Sequence, residues 1–84
     1  MYCVWNISDA GEDYILWAAF KWKKDAENYF LAQLETGMIG ERELVIVEQD
    51  DPNALPTAIQ LFLRGTIQVD DRGVRTAQVH KTNT

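Results

Sequence analysis

Tyr14–Phe30 reads YILWAAFKWKKDAENYF, and its apolar period lengthens from two to nearly four within seventeen residues. Up to Trp22 the pattern suits a strand, whose side chains alternate between two faces. Leu16, Ala18, Phe20 and Trp22 are expected on one face, with Ile15, Trp17, Ala19 and Lys21 on the other. Both faces are apolar until Lys21, so such a strand has to be covered twice. From Asp25 the period changes: Ala26, Tyr29, Phe30, Gln33 and Leu34 fall on one helical stripe, and Gly37 stands where a left-handed residue ends a helix. The spacing predicts a helix over 25–36 with Asp25 as its N-cap. That helix would shield the face of Leu16, Ala18, Phe20 and Trp22. Phe20, Trp22 and Phe30 read as core fillers. Lys21 and Lys23 are expected to point away from Phe20 and Trp22, which argues against one mixed aromatic and basic platform for stacking bases.

Upstream, YCVWNI is rich in aromatic and β-branched residues, and the turn composition SDAGED follows it. Tyr2–Ile7 and Tyr14–Trp22 therefore read as a β-hairpin. Downstream, the unbroken apolar run Leu44–Val47 between acidic flanks reads as a third strand in the middle of the sheet. Residues 55–64 fit two patterns. As a helix, Leu55, Ala58, Ile59, Phe62 and Leu63 form a stripe behind Pro56; as a strand, Ile59, Leu61 and Leu63 alternate with polar neighbours. The helix uses more of the apolar positions. A second hairpin follows, Thr66–Val69 and Val74–Val79 across DDRG, and 81–84 read as a frayed tail.

The expected fold is α+β in a single domain over 1–84: an antiparallel sheet of four or five strands, one long helix on one face, and a second short helix where the helical stripe prevails. The order is β-β-α-β-(α)-β-β. If 55–64 are a helix, the second apolar face is covered internally; if they are a strand, either a second copy of the chain, in a homodimer, or a partner covers it. This order of elements is common to many unrelated small domains and says nothing about activity.

Composition bounds the chemistry. The chain has 84 residues, 46% of them apolar and 25% charged, which suits a small folded domain and argues against disorder. The longest apolar run, Ile15–Phe20, is far short of the roughly 20 residues that span a bilayer. The first residues carry no basic and apolar leader pattern, and a single cysteine, Cys3, fits a reducing compartment; a cytoplasmic location is expected.

No pattern supports catalysis or a bound cofactor. One histidine, His80, one serine, Ser8, and one cysteine lack the neighbours of a hydrolytic or thiol centre. They also cannot make a four-ligand zinc site. Carboxylates at Asp9, Glu12 and Asp13, at Asp50 and Asp51, and at Asp70 and Asp71 lack the spacing of a calcium loop and read as solvated turns. A non-catalytic protein is expected.

The net charge of −5 is uneven: residues 25–54 hold eight acids against Arg42 alone, while 55–84 hold four bases and two acids. An acidic middle repels phosphate backbones and attracts basic surfaces. The expected role is a protein-binding module or small inhibitor, with Glu41, Glu43, Glu48, Asp50 and Asp51 as a charged rim and Trp17 or Tyr14 as an apolar anchor. One version imitates nucleic-acid phosphates before a nucleic-acid-handling enzyme, as small acidic phage or mobile-element proteins can. Direct nucleic-acid binding through Lys21, Lys23, Lys24, Arg72 and Arg75 is disfavoured by the net charge. The rival is a homo-oligomeric ligand-binding or enzymatic domain with its site between subunits, using His80, Arg64 or Arg72.

Overall fold

The hairpin read from the first two apolar stretches is present, and it opens a five-stranded sheet. In the computed structural model, which describes residues 1–8, 13–37, 42–51 and 67–78, the strands are β1 (Tyr2–Ser8), β2 (Tyr14–Phe20), β3 (Arg42–Glu48), β4 (Gln68–Val69) and β5 (Arg75–Gln78). One helix, α1 (Lys23–Thr36), lies between β2 and β3. Across the sheet the order is β2-β1-β3-β5-β4. The third strand is central, as its unbroken apolar run implies, and Leu44–Val47 are all buried.

The sheet is mixed, which corrects the antiparallel expectation. β1 pairs antiparallel with β2 and β3, and β4 with β5, but β3 and β5 run parallel. The reason is which member of the second hairpin lies inside. β4 is two exposed residues, whereas β5 and its approach bring Val74 and Ala77 into the core. The apolar member takes the inner place, and its direction matches β3. The second short helix, over 55–64, lies outside the described residues, as does the 81–84 tail.

Two apolar clusters sit on opposite faces. On the helix side, Val4, Leu44, Ile46 and Val74 meet Ala26 and Phe30 of α1, with Tyr2, Trp17, Phe20, Tyr29 and Leu31 around them. On the other side are Cys3, Trp5, Ile7, Val45, Val47 and Ala77, flanked by Tyr14, Leu16 and Ala19. The strands buried on both faces are therefore β1 and β3, while β2 is only partly covered.

A β-bulge overturns the expected alternation in β2. Trp5 pairs with Leu16 and Val4 with Ala18, so Trp17 is an extra residue in the ladder. Trp17 turns to the helix side, where Phe20 also lies, while Leu16 and Ala19 share the opposite face. Past Phe20 the strand ends, and Trp22 is 63% exposed, which corrects its reading as core. The bend also undoes the expected separation of lysine and tryptophan: Lys21 Nζ lies 5.3 Å from the Trp22 ring centroid.

The helix begins two residues earlier than expected. Trp22 is the N-cap residue in an extended conformation, without a side-chain cap, and Asp25 sits in the first turn, where its charge complements the helix dipole. At the other end Gly37 adopts φ 65° and its N–H donates to the Leu34 carbonyl at 3.2 Å. The apolar stripe is shorter than the sequence pattern: Ala26 and Phe30 are buried, while Leu34 is exposed.

Candidate functional site

The acidic residues of β3 do not form one rim. Glu43 and Glu48 stand near opposite ends of the strand, about 17 Å apart at about 3.4 Å per residue. They are five positions apart, an odd number, so they also face opposite sides of the sheet. Glu43 lies 3.6 Å from Arg75 Nη1 in an exposed ion pair. Glu41 lies outside the described residues. Glu48, Asp50 and Asp51 remain together at the C-terminal end of β3, all exposed.

The backbone that carries these carboxylates is tied down at Gln49. Gln49 is buried, and its side chain accepts a hydrogen bond from Trp5 Nε1 at 2.8 Å. Its Nε2 donates to the Asp51 carbonyl at 2.7 Å. Its backbone N–H donates to the Met1 carbonyl at 2.9 Å, and the Met1 ammonium donates to the Gln49 carbonyl at 2.7 Å. Four hydrogen bonds thus fix a short segment that would otherwise be a frayed strand end. A buried amide with its partners in place orients the chain on either side of it.

The two candidate anchors are not surface anchors of this end. Tyr14 packs edge-on against Trp5 with ring centroids 6.2 Å apart on one face, and Trp17 packs with the helix-side cluster on the other. Tyr2 pairs with both Phe20 and Glu48, so the ends of β2 and β3 lie at the same end of the sheet, two strand spacings or about 10 Å apart. The exposed aromatic there is Trp22, just beyond Phe20. Sequence reading missed both Gln49 and Trp22. Nothing in EQDD marks the glutamine as inward, and only the ending of β2 at Phe20 puts Trp22 outside.

The bases fall in two places: Lys21, Lys23 and Lys24 are exposed between the end of β2 and the first turn of α1, whereas Arg72 and Arg75 lie on the β4–β5 side and pair with carboxylates. Arg72 Nη2 donates to Glu27 Oε2 at 2.6 Å and to Asp70 Oδ2 at 2.7 Å, linking the β4–β5 turn to α1. Asp70 Oδ1 also accepts from the Arg72 and Val74 N–H groups, and these hydrogen bonds, the Arg72 side chain's first, hold its carboxyl below the usual aspartate range. The same pairing raises Arg72. Cys3 is buried in β1, and burial pushes its thiol up. Arg64 and His80 lie outside the described residues.

Among the described residues no cluster of three or more metal-ligating side chains occurs, and no helix is long and apolar enough to cross a membrane. Compared with known proteins, the chain matches no family model, no curated protein and no solved structure.

Proposed function

We propose that the chain is a non-catalytic, cytoplasmic protein-binding module that engages a basic partner surface through the end of the sheet carrying Glu48, Asp50 and Asp51. The observation that supports this reading is the clamp at Gln49, which presents three exposed carboxylates on fixed backbone. Preorganised charge needs less ordering on binding than charge on a loose loop. Trp22, at the same end of the sheet, supplies the apolar contact in place of Tyr14 and Trp17. In its sharper form the partner is a nucleic-acid-handling protein whose phosphate-binding groove accepts these carboxylates. The rival, a site shared between subunits around Arg72, is less favoured, because Asp70 and Glu27 already engage that guanidinium.

The test is affinity capture from a native lysate with mass spectrometry, comparing wild type with a Glu48→Gln, Asp50→Asn, Asp51→Asn triple variant. Loss of a captured protein with the triple variant, its retention by Glu43→Gln, and its release by salt are expected. Equal capture by wild type and the triple variant sinks the reading.

A further inference from the structure

The two edges of the sheet are unequal. β4 is only two residues long, a short edge of the kind that resists pairing with another strand. β2 is seven residues with no charge, no proline and no glycine, and among the described residues β1 is its one strand partner. No described strand lies beyond it, and the outer side of such an edge is one that another strand is suited to pair with. Ile15 on this edge is 51% exposed.

We infer that β2 pairs antiparallel with β2 of a second copy of this chain, extending the sheet across a two-fold axis. The bulge selects the register. Neighbours paired across two antiparallel strands share a face. In β2 the helix-side residues are Ile15, Trp17, Ala18 and Phe20, while Leu16 and Ala19 face the other way. Only an axis between Trp17 and Ala18 matches every face in this stretch. It sets Ile15 against the partner's Phe20, Leu16 against the partner's Ala19, and Trp17 against the partner's Ala18. The exposed isoleucine is then covered by an aromatic ring on both sides of the axis, and the two bulges meet where the ladder is already irregular.

Charge points to the same occupant. Asp13 precedes β2, and Lys21, Lys23 and Lys24 follow it. Antiparallel self-pairing brings the acidic start of each strand beside the basic finish of the other, so the ends attract. A parallel self-pair would set like charges together. The inference rests on the β2 edge alone and is independent of the acidic end of β3.

Sedimentation equilibrium of the full chain up to about 1 mM tests it. The expected result is a species of twice the 9.6 kDa chain mass. Ile15→Lys, at an exposed site, should weaken the dimer by at least about tenfold while the far-UV circular dichroism spectrum of the folded chain stays unchanged. Asp13→Lys and Lys21→Asp should each weaken it, and the two together should restore it. That charge exchange decides the matter should Ile15→Lys fail to fold. A monomer throughout the range, or a dimer indifferent to these substitutions, overturns the inference.

Discussion

Phe30 is the ring through which α1 holds the sheet, buried beside Ala26 among Val4, Leu44 and Ile46. Phe30→Ala should destabilise by about 3–5 kcal/mol, read from urea denaturation, because its cavity lies between two rigid elements. Trp22→Ala, at an exposed N-cap position, should change stability by no more than about 0.5 kcal/mol while weakening partner capture. Trp5 is a third case. Trp5→Phe keeps an apolar ring but leaves the buried Gln49 Oε1 without its donor, so a loss of about 1–3 kcal/mol is expected. That loss should come with weaker binding, since the same hydrogen bond fixes the segment around Glu48 and Asp50. If Trp5→Phe and Trp22→Ala behave alike in both measurements, the division between clamp and contact surface is wrong.

Elements show where local sequence suffices and where it does not. The C-terminal stop of α1 was legible at Gly37, since φ 65° favours a residue without a side chain. Gly37→Ala should cost about 1 kcal/mol through backbone strain alone, as nothing lies within 4 Å of an added Cβ. The turn Asp70–Gly73 was legible too, but its role as a tie to α1 through Arg72 and Glu27 was not, because the two acids lie far apart in sequence. Asp70 binds its proton less readily folded than unfolded. Its charged form therefore contributes stability above the ordinary aspartate pKa near about 4, and that contribution is lost as pH falls through the depressed folded value. Denaturation midpoints of wild type and Asp70→Asn should differ at neutral pH and converge on acidification.

The bulge in β2 is the element that sequence hid. Trp17 and Ala18 are both apolar, so a regular strand and a bulged one give the same letters, and one extra residue moves everything beyond it to the other face. The direction of β5 was hidden for a different reason. A hairpin's own sequence does not say which member will lie inside, and only the burial of Val74 and Ala77 decides it. The candidate site was legible as charge and not as place. Glu48, Asp50 and Asp51 were in the acidic stretch, but their separation from Glu43 follows from strand rise and the amide that holds them was silent.

At the scale of the whole molecule, a net charge of −5 with its acids gathered in the middle third makes association with a basic surface a salt-sensitive event. The affinity of the captured partner should fall steeply as ionic strength rises, while folding stability moves little, because the ion pairs among described residues are exposed. A partner complex indifferent to salt would point to an apolar contact in place of the carboxylates.

The parallel joint between β3 and β5 sets how the sheet breathes. Seven rungs tie β3 to β1, but among the described residues only three, Ile46 to Thr76, Val47 to Ala77 and Glu48 to Gln78, tie it to β5. Amide protons of β5 should therefore trade with deuterium well before those of β1, as the smaller hairpin swings away while the β1–β3 ladder stays closed. The rung nearest the acidic segment, at Glu48 and Gln78, is among those released, so a bound partner that slows this exchange would reveal itself at a strand it does not touch.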